Sequence, residues 1–186
     1  MAENLLADPE AITLRFVQKT FVENYDPTIE DAYRQSIRVD TYSFMMQILD
    51  TAGQEDYVSL RSSWIRDKDG LIMVFDLSSR KSFEEVQSYL DQVLELYEDQ
   101  VPPILLVGNK CDLENREIKE SEAKEVAKDY LCVEYLDSSA KSGVNIDAIF
   151  HRLGRHIRER DLVPREIEPV EPEPWWSSLL SWCGLL

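Results

Sequence analysis

At 186 residues and 44% hydrophobic content, the chain is long enough for one domain with a tail and a single core. Its formal net charge of −16 argues against nonspecific nucleic-acid binding, which needs a basic face, and against electrostatic docking on anionic lipid. The three cysteines (Cys111, Cys132 and Cys183) lack the spacing of a disulfide framework or metal site, which points to a reducing compartment, and no run reads as a membrane-spanning helix or secretory signal.

In chain order, Asp8-Pro9-Glu10 reads as a helix start, with Asp8 as N-cap and Pro9 at the first helical position, and the helix is expected to reach about Phe21. Tyr33 to Val39 and Phe44 to Leu49 are β-rich and joined by a polar turn at Asp40-Thr41, the pattern of a hairpin. Leu71 to Phe75 and Ile104 to Val107 are short, continuous apolar runs, which predicts buried parallel strands rather than half-exposed ones. Between them Val86, Leu90, Val93, Leu94 and Tyr97 fall at helical spacing. A helix over Ser121 to Tyr130, a strand over Val133 to Leu136 and a helix carrying Ile146, Ile149, Phe150, Leu153 and Ile157 on one face complete the domain. Strands alternating with helices predict a mainly parallel sheet covered on both faces, with ligands bound beyond the carboxyl ends of the strands. Residues 1–161 are expected to form this domain and 162–186 a tail, because Pro164 to Pro174 is rich in proline and glutamate and has no apolar period.

The loops that follow the strands carry the chemistry. Asp50-Thr51-Ala52-Gly53-Gln54 offers a carboxylate for Mg²⁺, a glycine through which a backbone N–H can approach a phosphate, and a glutamine to orient water. By itself such a segment is also a common turn. Asn109-Lys110-Cys111-Asp112 offers a carboxylate that can accept both N–H groups on the Watson–Crick edge of guanine, an asparagine for another base edge, and a lysine stem to cover the ring. Adenine lacks that donor pair. Ser138-Ser139-Ala140-Lys141 offers a backbone N–H for the guanine carbonyl and Lys141 for the other side of the ring. Each could be a polar loop alone; together, each behind its own strand, they form a specific signal.

With Tyr25-Asp26-Pro27-Thr28-Ile29-Glu30-Asp31-Ala32-Tyr33 added, the ordered motifs resemble those of the Ras branch of small GTPases over about residues 11 to 160. The resemblance implies a P-loop-NTPase-like α/β fold that uses GTP, GDP and Mg²⁺. It implies that Thr28 and Asp50 lie at the metal, that Gly53 senses the γ-phosphate and that Gln54 orients the attacking water. Phe21, Thr28, Gly53, Asn109, Lys110, Asp112, Ser139, Ala140 and Lys141 would contact nucleotide. Tyr25 to Tyr33 would present an effector loop, and Gly53 to about Arg66 would engage exchange factors and GTPase-activating proteins. The implied protein is a monomeric, slowly hydrolysing signalling switch.

The chain departs from that family at its start. No G-x-x-x-x-G-K-[ST] segment is present, and Asp8-Pro9-Glu10 stands where Gly-Lys-Ser belongs. The seven residues before Asp8 span at most about 25 Å, too little for both the family's central first strand and a phosphate loop. Asn4 to Ala7 can supply a short substitute strand; otherwise the sheet carries a gap. Three readings stand: an alternative exon or mistaken gene model, a noncatalytic pseudo-GTPase binding module, or an unusual loop that still binds nucleotide. Two built-in carboxylates and a missing N–H predict weak GTP binding or none.

Cys183-Gly184-Leu185-Leu186 fits a prenylation pattern whose terminal leucine favours geranylgeranyl. One lipid needs a second membrane signal, which Trp175, Trp176, Leu179, Leu180 and Trp182 can supply at the interface. The alternatives are a bystander cysteine, and aromatics that bind a partner or prenyl chaperone. The expected location is the cytoplasmic face of a membrane, the plasma membrane foremost, with a cytosolic pool. His151 and His156 have no ligand cluster in sequence and read as surface or core residues, and Cys132 as a small buried one.

Overall fold

The computed structural model describes residues 9–21, 30–51, 65–97 and 100–162. The expected Asp8 cap, the Asn4 to Ala7 strand, Tyr25 to Ile29, Gly53, Gln54 and the tail with Cys183 lie outside them.

Helix α1 (Pro9–Gln18) buries Ile12 and Phe16, one turn apart, together with Ala11, Thr13 and Leu14. It stops at Gln18 rather than Phe21. Lys19 takes the left-handed conformation, φ 60°, and donates its N–H to the Arg15 carbonyl at 3.1 Å. Strands β1 (Glu30–Val39) and β2 (Tyr42–Thr51) form the expected hairpin, with Val39 opposite Tyr42 across Asp40-Thr41. Asp40, at φ 54°, supplies the left-handed turn residue, and its carboxylate pairs with Arg155 at 3.0 Å and Arg158 at 3.4 Å.

Strands β3 (Leu71–Asp76), β4 (Ile104–Asn109) and β5 (Glu134–Asp137) form a parallel sheet in the order β3-β4-β5. Helices α2 (Arg80–Tyr97), α3 (Glu120–Asp129) and α4 (Ile146–Leu162) complete the described elements. The β4 side chains divide with period two. Ile104 and Leu106 join Phe83, Val86, Leu90 and Ala123 on the α2–α3 face, whereas Leu105 and Val107 join Ile12, Phe16, Ile149 and Phe150 on the α1–α4 face. Helices therefore cover both faces, as an α/β fold requires. The α1–α4 layer also takes in Ile37 and Val39 of β1, Met46 and Ile48 of β2, and Ile72 and Val74 of β3.

Among the described residues the β1-β2 hairpin and β3-β4-β5 are separate sheets and no described strand joins them; the Asn4 to Ala7 strand that would do so lies outside those residues. One expectation needs correction. Strand β3 is not buried along its whole length: all of Ile104 to Val107 is buried, but Leu71 to Val74 is only half-buried, and among the described residues β3 has one neighbour where β4 has two. A smaller difference is that β5 starts at Glu134, and Val133 is exposed, although its N–H still reaches the Ile104 carbonyl at 2.8 Å.

Gly108 shows how tightly the carboxyl end of β4 is packed. A Cβ there would lie 2.6 Å from Leu77 Cδ2 and 2.8 Å from the Tyr135 hydroxyl. Gly108→Ala is expected to cost about 1–3 kcal/mol of stability through overpacking, read as a lower urea midpoint at unchanged slope.

Candidate guanine site

The ends of β4 and β5 lie side by side, so their following loops meet. Ser138 N–H donates to the Gly108 carbonyl at 2.7 Å, and Cys111 N–H to the Ser138 carbonyl at 2.9 Å. Asn109 is 1% exposed, and its Oδ1 accepts from Ala140 N–H at 3.2 Å and Ser138 Oγ at 3.4 Å. Its carbonyl end is thus committed to holding the two loops together. Ser139 is buried; its N–H donates to the Val144 carbonyl at 3.2 Å and its Oγ accepts from Ser142 N–H at 2.9 Å. Gly143, at φ 80°, closes this turn against α1, and a Cβ on it would lie 3.1 Å from the Arg15 guanidinium.

Lys110 adopts φ 65° and is half-buried, and its Nζ pairs with Asp76 Oδ2 at 2.8 Å. Burial works to raise the Asp76 pKa, but the bonds from Lys110 and Ser78 outweigh it and hold the carboxyl below its ordinary value. The charged Lys110 end is therefore fixed to Asp76 at the end of β3. Asp112 and Lys141 are exposed. Phe21 is half-buried and packs on the α1–α4 layer. The Cys111 thiol is pushed up by burial and then by Asp137 and Asp112, which disfavours the reactive thiolate. Cys132 is only partly buried, a correction to its expected place in the core, yet burial still pushes its thiol up to about 12.

Asp76 was not singled out in the sequence, although it stands at the carboxyl end of an apolar run, where ligand-binding chemistry collects. The brace under the Asp112 loop was also missed. Arg116 pairs with Asp137 at 2.5 Å and donates to the Ile118 carbonyl at 2.6 Å, and the Tyr135 hydroxyl also bonds Asp137. This brace joins residues 19 to 21 apart, which no local pattern exposes.

The other end of α1 is different in character. Helix N-termini attract anions through their N–H groups and dipole. Here Pro9 has no N–H and Glu10 brings a carboxylate into the first turn. Nearby Asp50, 4% exposed, has its pKa raised to about 7 by burial first and then by Glu10, with Asp31 adding to the rise. Hydrogen bonds from the Thr13 side chain and the Thr51 backbone oppose that shift, and Asp50 Oδ2 has no hydrogen-bond partner. An orphaned carboxylate oxygen could face a cation. Among the described residues no cluster of three His, Cys, Asp or Glu side chains surrounds it, although a Mg²⁺ held by one carboxylate and phosphate oxygens needs no such cluster. The strand-end loops carry residue types suited to guanine, whereas Pro9 and Glu10 are poorly suited to a phosphate at the start of α1.

Of the implied effector segment, Asp31 and Ala32 are exposed and Tyr33 is half-buried, with its hydroxyl 3.4 Å from Asp31 Oδ2. They lie on β1, which pairs only with β2 among the described residues. No described helix is long and apolar enough to cross a membrane.

A sequence model described as the Ras family matches residues 10–159. The chain is also 45% identical over 150 residues to the Ras-like protein rasB of Dictyostelium discoideum, covering 80% of this chain and 76% of that protein.

Proposed function

The chain belongs to the Ras family of small GTPase signalling switches, and from that premise we propose that it recognises guanine and presents an effector surface at a membrane. The observation that carries this reading is the union of the two base loops through Asn109 Oδ1, Ala140 N–H and Ser138. It leaves the exposed Asp112 carboxylate to accept the paired N–H groups of guanine, with Lys110 and Lys141 for the ring faces. Guanine-nucleotide binding and regulation by effectors and partner proteins are properties of the family. For this chain, Tyr25 to Tyr33 is assigned to effector domains, supported by the exposed Asp31 and Ala32 at the start of β1, which pairs only with β2 among the described residues. Gly53 to about Arg66 is assigned to exchange factors and GTPase-activating proteins. A geranylgeranyl group on Cys183, with the tryptophan-rich tail, is assigned to the cytoplasmic face of a membrane.

Two uses of the base site follow. In the first, the chain would run the family's cycle: Thr28 and Asp50 would hold Mg²⁺ beside GTP, Gln54 would orient water, and hydrolysis would be slow without an activating protein. In the second, effector binding proceeds without nucleotide control. The second is favoured by a specific observation, the acidic, N–H-depleted start of α1 beside Asp50.

Calorimetric titration of the full chain with GDP and with ADP tests the proposal. Detectable GDP binding with none for ADP is expected, and equal binding of the two would refute base recognition. Nanomolar GDP affinity would select the first use. Asp112→Ala is expected to weaken guanine binding about 10- to 100-fold, the worth of one or two charge-assisted hydrogen bonds, while leaving thermal stability unchanged because the side chain is exposed.

A further inference from the structure

The loop that carries Asp112 is tied down at both ends and crossed by a cation in between. At its start the Cys111 N–H donates to the Ser138 carbonyl at 2.9 Å, and the Leu113 N–H turns back onto the Lys110 carbonyl at 3.1 Å. At its end the Glu117 and Ile118 N–H groups both donate to the Leu77 carbonyl, at 2.8 and 3.2 Å. Asp112, Glu114 and Asn115 are exposed. Arg116 supplies the lateral tie from this stretch to β5. Its guanidinium meets the two Asp137 carboxylate oxygens at 2.5 and 3.2 Å, and its Nε donates to the Ile118 carbonyl at 2.6 Å.

Asp137 ends β5 and immediately precedes the Ser138 to Lys141 segment, so this fork joins the two base loops by a second route, separate from the Asn109 bonds. The Tyr135 hydroxyl also donates to the Asp137 carboxylate, and the Asp137 carbonyl accepts from Asn145 Nδ2 at 2.8 Å. Asp137 is thus held by side chain and backbone without Arg116, which makes it the fixed partner and the Arg116 loop the part that is positioned. The charges also gather around one side chain next to Asp112. Burial raises the Cys111 thiol, Asp137 and Asp112 add to the rise, and Arg116 opposes it. A guanidinium forked onto a carboxylate is a planar, two-point contact that fixes direction as well as distance.

A carboxylate that must accept two parallel N–H groups needs the same control of direction. Slightly displaced, it can keep its bond to the ring N–H while losing the one to the exocyclic amino group. We infer that Arg116, anchored on Asp137, is a positioning residue that sets this chain's selectivity for the exocyclic amino group of guanine by holding the Asp112 loop in register with the Ala140 loop. The inference rests on the guanine reading proposed above and deepens it: the base is told from hypoxanthine as well as from adenine. GDP and IDP carry the same phosphates, so a comparison between them does not depend on the start of α1.

The test is calorimetric titration of the full-length chain with GDP and with IDP, which lacks the 2-amino group. The unaltered chain is expected to prefer GDP about 10- to 100-fold, the worth of one hydrogen bond to a charged group. Arg116→Ala is expected to cut that preference about tenfold, mainly through weaker GDP binding, because the reading carboxylate is no longer held in its productive geometry. Arg116→Lys keeps the charge but not the fork and should recover part of the preference. Asp137→Asn removes the charge with little change of shape, so it carries the test if Arg116→Ala does not fold, and a loss of about threefold is expected from it. A brace that served the fold alone would lower the urea midpoint and weaken GDP and IDP alike. An unchanged GDP-over-IDP ratio in the folded variants therefore overturns the inference while leaving guanine recognition standing. GDP and ADP bound equally by the unaltered chain, or no binding of GDP at all, overturns both.

Discussion

Asp50→Asn is expected to make the nucleotide-free protein more stable at about pH 8 and to leave its stability nearly unchanged at about pH 5. The Asp50 carboxyl titrates at about 7 in the folded chain against an ordinary value of 3.8, because burial and then Glu10 penalise its charge. Between those values the folded state holds a proton that the unfolded chain has released. Stability from this group is therefore fully present below the unfolded value and falls as pH rises through about 7. The full loss is on the order of 4 kcal/mol. Asparagine carries no charge and keeps one oxygen to accept from Thr13 or Thr51. Its amide N–H₂ faces the position of the orphaned Oδ2, and leaving it unpaired costs about 1–3 kcal/mol. A net gain of about 1–3 kcal/mol at about pH 8 follows, visible as a higher urea midpoint in EDTA. Equal midpoints for the two proteins at both pH values would mean that Asp50 is not repelled by its surroundings.

Phe16→Ala should be among the most damaging single substitutions outside the base loops, at about 3–5 kcal/mol. Phe16 is 2% exposed and its ring stacks on Phe150 with centroids 3.9 Å apart. That stack binds α1 to α4, and the layer they form is the apolar cluster that includes residues from both sheets. Because no described strand hydrogen-bonds β2 to β3, this cluster is a principal link between the hairpin and the parallel sheet. The substitution is therefore expected to lower the denaturation midpoint strongly. It should also raise hydrogen exchange across β1 and β2 more than across β4, whose other face rests on the undamaged α2–α3 layer. Uniform exchange changes in both sheets would show that the hairpin is held by something other than this layer.

Much of the domain was legible as sequence because its signals are local. An unbroken apolar run such as Ile104 to Val107 marks a strand, and β-rich runs on either side of Asp40-Thr41 mark a hairpin. That the Asn109 to Asp112 and Ser138 to Lys141 segments would meet was legible because each follows a strand, and parallel strands deliver their carboxyl ends to one edge. The altered start, Pro9-Glu10, was equally plain, since a residue type either has an N–H or a charge or it does not.

What remained hidden depended on which elements are neighbours. The run Leu71 to Phe75 looks as buried as Ile104 to Val107, yet Leu71 to Val74 are only half-buried, because burial also depends on partner strands, of which β3 has one and β4 two among the described residues. Lys110 looked like a ring-covering side chain, and only the pairing of β3 with β4 brings Asp76 within 2.8 Å to hold it. The sequence by itself determined the order of strands and helices, the residue types in the loops after β4 and β5, and the proline and carboxylate at the start of α1. Tertiary structure alone decided that Glu10 bears on Asp50 and that one apolar layer serves two sheets, because Coulomb forces and burial depend on distance through space rather than along the chain.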